Sequence, residues 1–303
     1  MHRFAVKALA AAALATLGLG AQAQSQTLVA LTTTNEIVKF NTAGSTQTVA
    51  ISGLASGETL LGLDTRPTNG LTYAISNQNN LYTIDTTSGA LSLVTALSGA
   101  SFASTGGLGM DFNPQADFAG GASLRVTTAG GNNYAVNVNT GVVGNTASNI
   151  GPGYTAVAYT NSFPGTPPGS FPGTMPGDLT DLYYINTSTD TLQFAGAAFN
   201  SPMITTVGSL DLPFNVLSAN GFEIVGGGPA FAVLNLDDGT GASGLYSINL
   251  ATGDAVLRSN FAGTVNGLAF TTAPVPEPET YALMIAGLGV VAYIGRRRKA
   301  KKA

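Results

Sequence analysis

Cysteine and tryptophan are absent from this chain of 303 residues, and its one histidine is His2. Without thiols there is no disulfide, no thiolate zinc site and no cysteine nucleophile. Without a histidine beyond the N-terminus there is no histidine-dependent catalytic triad. Charge is scarce too, at 9% Asp, Glu, Lys and Arg, and its distribution says more than the net value of −4. Arg3 and Lys7 lie near the start and six basic residues crowd between Arg296 and Lys302, which leaves Lys39, Arg66, Arg125 and Arg258 for everything between. All sixteen acids fall within 24–279. So acidic a segment repels nucleic acid and anionic lipid, which are gripped through basic patches. Nucleic acid is excluded as a partner, and the chemistry left to the chain is that of carboxylates.

The two ends read as addresses. His2, Arg3 and Lys7 precede the apolar run from Ala8 to Gly20, and Ala21-Gln22-Ala23 supplies the small-x-small pattern of a signal-peptidase site. This predicts a secretory signal peptide over 1–23, a helix removed after Ala23 by signal peptidase. At the other end, sixteen uncharged residues, 280–295, separate Glu279 from Arg296. As a helix they span about 24 Å, short of the roughly 30 Å hydrocarbon core of a bilayer. The basic cluster Arg296, Arg297 and Arg298 orients such a span with the body outside and the tail inside.

Between these ends, Gly, Thr, Ser and Asn are abundant, and apolar residues alternate in short runs broken by turn dipeptides, which predicts an all-β body over 24–272. One motif recurs: Gly62-Leu63-Asp64-Thr65-Arg66-Pro67, then Gly109-Met110-Asp111-Phe112-Asn113-Pro114, with weaker copies beginning at Ala156, Gly221 and Gly267. The intervals are 47, 47, 65 and 46 residues, and the long one contains a Pro/Gly-rich insertion at 163–177. Three further strands fit each interval, and DTTSG at Asp85 to Gly89, NVNTG at Asn137 to Gly141 and NLATG at Asn249 to Gly253 are hairpin turns. Four strands per repeat describe a propeller blade. The chain enters with three strands lacking the motif and leaves with GLAF at 267–270, a motif lacking its strands. The prediction is a five-bladed β-propeller closed by its N- and C-terminal strands, flanked by the signal helix and the short C-terminal transmembrane helix. A solenoid or sandwich is the alternative, and repeats of this length suit neither well.

Two resemblances follow. Val275-Pro276-Glu277-Pro278, the short apolar helix and Arg296 to Arg298 together resemble the PEP-CTERM sorting signal over 273–303. That resemblance implies recognition and cleavage by the membrane protease exosortase of Gram-negative bacteria. It also implies a transient stay in the inner membrane with the body in the periplasm, then release to the cell surface or the extracellular matrix. A marginally long helix suits a temporary stop; a permanent tail anchor is the other use of such a span. The body, through LLGLDTRPTNG, LYTIDTTSGAL, LGMDFNP and GLYSINLATG, resembles the bacterial family called domain of unknown function 4394, which implies no particular activity.

In the third position of the recurring motif stand Asp64, Asp111, Ala158, Glu223 and Ala269. If this strand is innermost in each blade, three carboxylates approach the central channel. They have three readings: they accept backbone donors of a neighbouring blade, they converge on one cation such as calcium, or they are the acids of a glycoside hydrolase, by analogy with sugar-cleaving propellers. The absence of tryptophan removes the usual sugar platform. Asn235 to Gly241 crowds acids and glycines as a calcium loop does, but without EF-hand spacing, and a hairpin explains it as well. The insertion, rich in proline, predicts a solvated flap without strand or helix. The expectation is a secreted, noncatalytic binding or structural module, without a cofactor unless calcium is bound. Its rival is a carboxylate-dependent hydrolase acting on extracellular polysaccharide.

Overall fold

In the computed structural model, residues 26–41, 46–102, 108–121, 123–170, 180–196 and 198–272 are described. The signal segment with Ala21 and Ala23, the tail with Val275 to Pro278, the span 280–295 and Arg296 to Arg298 all lie outside these residues, as does 171–177 of the insertion. Among the described residues no helix is long and apolar enough to cross a membrane.

The first three strands, β1 (Gln26–Thr32), β2 (Glu36–Asn41) and β3 (Thr46–Ala50), belong to blade 1. Blade 2 is β4 (Leu60–Thr65), β5 (Thr72–Ser76), β6 (Asn80–Ile84) and β7 (Leu91–Ala96). Blade 3 is β8 (Leu108–Phe112), then a short helix α1 (Pro114–Phe118), β9 (Leu124–Thr128), β10 (Asn133–Asn137) and β11 (Val142–Gly144). Blade 4 comprises β12 (Tyr154–Tyr159), β13 (Leu182–Asn186), β14 (Thr191–Phe194) and β15 (Thr205–Ser209). Blade 5 comprises β16 (Val216–Ile224), β17 (Ala230–Leu236), β18 (Ser243–Ile248) and β19 (Ala255–Asn260). The last strand, β20 (Val265–Thr272), pairs antiparallel with β1, Leu28 facing Phe270 and Ala30 facing Leu268, and completes blade 1. The ring therefore closes on the expected pair of termini, and β20 covers the edge that β1 would otherwise expose.

The recurring motif occupies the innermost strand of every blade, and successive inner strands adjoin one another around the ring. Its leading glycine explains how they come so close. A Cβ on Gly109 would meet the Thr155 carbonyl of β12 at 3.1 Å, and one on Gly221 would meet the Leu268 amide of β20 at 2.5 Å. Only a hydrogen at these positions lets adjacent backbones approach.

Burial falls from the axis outward. β5, β8 and β12 are buried along their whole length, whereas β7, β15 and β19 are mostly exposed, Leu93 and Leu257 included. The core lies between blades: Tyr73 of blade 2 packs edge-on against Phe112 of blade 3, with ring centroids 5.4 Å apart. At the rim the predicted turns tie one blade to the next. In the turn at Asp85 to Gly89, Gly89 has φ +74° and presses on the Ala50 carbonyl of blade 1, while Ser52 N–H donates to the Gly89 carbonyl at 2.9 Å. The same arrangement joins Gly141 to Ala96 and Ser98.

Candidate functional site

Two residues beyond the motif's first position, the side chain faces the same interblade boundary as that position. On β4, β8 and β16 that side chain is an acid, and each acid reaches the next inner strand. Asp64 Oδ2 accepts the Phe112 N–H at 2.7 Å, Asp111 Oδ2 accepts the Tyr159 N–H at 2.7 Å, and Glu223 Oε2 accepts the Phe270 N–H at 3.0 Å. Asp64 Oδ1 also accepts the Thr65 N–H at 2.7 Å. The residues are 3%, 1% and 4% exposed, so water does not solvate them. Ala158 and Ala269, at the same position of blades 4 and 1, add no charge.

The three acids also act on one another. The charge of Asp64 acts on both Asp111 and Glu223 and raises their proton affinity. Burial, opposed by the amides of Phe112 and Thr65, pushes Asp64 up to about 7. Burial, reinforced by the neighbouring acids, pushes Asp111 and Glu223 well above the usual carboxylate range. Asp111 Oδ1 is buried and has no hydrogen-bond partner. Both Asp64 oxygens already accept backbone amides, and among the described residues no group of three or more Asp, Glu, His or Cys side chains is arranged to hold a metal ion.

The described part of the insertion, 163–170, has neither strand nor helix, with Gly165, Pro167, Gly169 and Ser170 exposed, and its beginning is tied to neighbouring blades. Asn161 N–H donates to the Gly226 carbonyl of blade 5 at 2.7 Å, and Gly226 N–H returns a bond to the Ser162 carbonyl at 2.9 Å. Phe163 then packs on Phe270 of blade 1, centroids 5.2 Å apart, and Gly165 N–H reaches the Pro67 carbonyl of blade 2 at 2.8 Å. The segment thus runs from blade 4 across blades 5, 1 and 2, on the face where β4, β16 and β20 end. Prolines without donors form no strand here, but the residues between them supply amides that dock it.

Three polar networks escaped the sequence reading. Asp117 of α1 accepts from Arg66 Nε at 2.7 Å, Thr68 N–H at 3.0 Å, Thr68 Oγ1 at 2.7 Å and Ser123 Oγ at 2.9 Å, clamping blade 2 to blade 3. Glu58 is held by Ser76, Asn80, Tyr82 and the Ala55 amide within blade 2. Arg125, 4% exposed, donates to Tyr159 Oη at 3.1 Å, Asn133 Oδ1 at 3.1 Å and Asn200 Oδ1 at 2.9 Å, all neutral acceptors. The signal that could have found the first was the pair of recurring Pro-containing loops; a lone buried Arg or Glu leaves none. Asn235 to Gly241 forms the tight connection of β17 to β18, where Asp238 Oδ1 accepts the Thr240 N–H at 2.9 Å. A surface groove of about 630 Å³ lies between blades 1 and 2, with Thr27, Lys39, Thr72, Thr83, Asp85 and Thr271 in its walls.

The sequence model described as Domain of unknown function (DUF4394) matches residues 36–269, and the PEP-CTERM protein-sorting motif matches 274–299. No curated protein matches the chain. Among solved structures, it is similar to a provisionally assigned 6-phosphogluconolactonase from Bacteroides fragilis NCTC 9343. Identity there is 12%, over 82% of this chain and 98% of that one, with a TM-score of 0.45. It is also similar to a provisionally assigned TolB from Agrobacterium tumefaciens, at 11% identity over 84% and 100%, with a TM-score of 0.45.

Proposed function

For this chain, which belongs to the domain of unknown function 4394 family and carries a PEP-CTERM sorting motif, we propose a noncatalytic binding or structural role at the cell surface or in the extracellular matrix. The sorting motif makes it an exported protein whose processing partner is exosortase. The proposed route runs through signal peptidase, a transient inner-membrane stop on 280–295 with the body in the periplasm, and release after cleavage near Val275 to Pro278.

One observation carries the noncatalytic reading: the only carboxyls grouped at the channel among the described residues are at most 4% exposed. A glycoside hydrolase needs two carboxyls about 5 to 10 Å apart in an open cleft, one on each side of the scissile bond. Here Asp64, Asp111 and Glu223 are buried and each accepts a backbone amide of the next inner strand, which is not the open cleft that reaction requires. Binding falls instead to the outer surface, and the groove beside Lys39 and Asp85, walled by threonine hydroxyls, suits a polyhydroxylated chain.

The test is to incubate the secreted protein with the extracellular polysaccharide of the producing cell and follow both co-sedimentation and new reducing ends. Co-sedimentation without reducing ends, weakened by Lys39→Ala and Thr83→Ala, is the expected result. Reducing ends that disappear in Asp111→Asn and Glu223→Gln would make the protein an enzyme and end the proposal.

A further inference from the structure

We infer that, while the chain is held by its sorting tail, the propeller rests on the periplasmic leaflet of the inner membrane through one face, the one on which β20 ends and the insertion lies. The inference rests on the proposed stop at 280–295, and it names a lipid surface as the partner of that face.

Where the chain leaves the fold sets the geometry. β20 is the innermost strand of blade 1, and its last residue, Thr272, pairs with Gln26 of β1. Seven residues, Ala273 to Glu279, separate it from 280–295. Fully extended they span at most about 25 Å. To put the opposite face on a bilayer, this tether would have to run outward over the ring and then down through it. From β20 out to β3 are three strand spacings, about 14 Å, and strands of five or six residues add about 20 Å of depth. Seven residues do not cover that path, so the face where Thr272 lies is turned to the membrane.

The chemistry of that face suits a lipid surface. The loops that follow β4, β8, β12 and β16 gather there: Arg66 bonds to Asp117, Gly165 N–H donates to the Pro67 carbonyl, Gly226 N–H donates to the Ser162 carbonyl, and Phe163 packs on Phe270. Along 66–71, 113–123, 160–170 and 225–229 the ionisable side chains are Arg66 and Asp117, which neutralise each other at 2.7 Å. The exposed acids of this face, Asp85, Asp181 and Asp254, stand further from the axis, beside the second to fourth strands of their blades. An otherwise acidic body thus meets anionic lipid through loops without net charge. Leu71, 49% exposed, and Phe118, 37% exposed, supply apolar contacts to the headgroup boundary.

The chain has no cysteine, so a single introduced thiol reports its own surroundings. Ala119→Cys and Ser170→Cys place one on this face, and Gln78→Cys places one in the connection of β5 to β6 on the opposite face, all at exposed positions. In spheroplasts of cells without exosortase, the intact chain is labelled with a bulky, membrane-impermeant maleimide and compared with the secreted protein. Labelling of Ala119→Cys and Ser170→Cys should be slowed several-fold in the membrane-held chain and restored in the secreted one, with Gln78→Cys equal in both. In vesicles of phosphatidylethanolamine and phosphatidylglycerol carrying the full-length chain, a fluorophore on Ser170→Cys should be quenched by a lipid with a headgroup nitroxide, and one on Gln78→Cys should not. Equal labelling of all three thiols in the membrane-held chain, or no quenching, would overturn the apposition. Slowing that appears only in cells supplied with an inactive exosortase would make the protease the occupant and overturn it as well. If the intact chain does not fractionate with the membrane at all, the stop itself is removed, and the inference with it.

Discussion

Asp64 accepts the Phe112 amide from a separation of 48 residues, and Asp111 accepts the Tyr159 amide from the same separation. Both distances in sequence are one repeat of 47 plus one residue. Glu223 keeps the rule where the repeat is 46, reaching Phe270 across 47. The hydrogen bond is thus a property of the repeat, with an acid in one blade and the following position in the next. It recurs in three of five blades because the other two place alanine there.

Sorting gives the first prediction. Because 274–299 matches the sorting motif, the secreted protein should lack Arg296 to Lys302. Mass spectrometry should place its C-terminus near Pro276 to Glu279. In cells without exosortase the intact chain should fractionate with the inner membrane. Recovering the basic tail on extracellular protein would contradict this route.

Closure gives a second. A chain ending before Val265 loses β20, the partner of β1, and exposes the inner edge of blade 1. Destabilisation of several kcal/mol is expected, a large part of the roughly 5 to 15 kcal/mol that holds a typical domain. Urea unfolding of the truncated and full chains compares them directly; coincident curves would mean that β20 contributes nothing to the ring.

Asp117 carries a third. Its removal as Asp117→Ala leaves the partly buried Arg66 guanidinium and the Thr68 and Ser123 donors unmatched. A loss of about 3 kcal/mol is expected, the scale for breaking a buried ion pair from one side. Asp117→Asn should cost less, because its amide oxygen still accepts from some of these donors, and chemical denaturation of both variants decides the order.

The inner glycines carry a fourth. In Gly221→Ala the new methyl meets the Leu268 backbone of the next inner strand, and overpacking of about 1 to 3 kcal/mol follows. Gly263→Ala, where nothing lies within 4 Å of the added carbon, should fall within about 0.5 kcal/mol of wild type. Equal melting temperatures for the two variants would show that the inner strands are not in close contact at Gly221.

The sequence by itself determined the period, the blade count, the closure and the turns. Each of these is written in local chemistry: alternation over five or six residues, an Asp or Asn followed by Gly in a turn, and a motif returning every 47 positions. It also placed Asp64, Asp111 and Glu223 at one level, since a repeat position is a height in a propeller. What only the tertiary structure decided is how those acids relate. Glu223 stands 159 residues from Asp64 in the chain, and no spacing says that both are sealed from water or that the charge of one raises the proton affinity of the other. The same holds for the insertion. Its prolines foretold the lack of strand or helix, but the path of Phe163 and Gly165 to Phe270 and Pro67 depends on which blades the ring brings within reach. Desolvation and charge coupling act through space, over distances that exist only once the ring has closed.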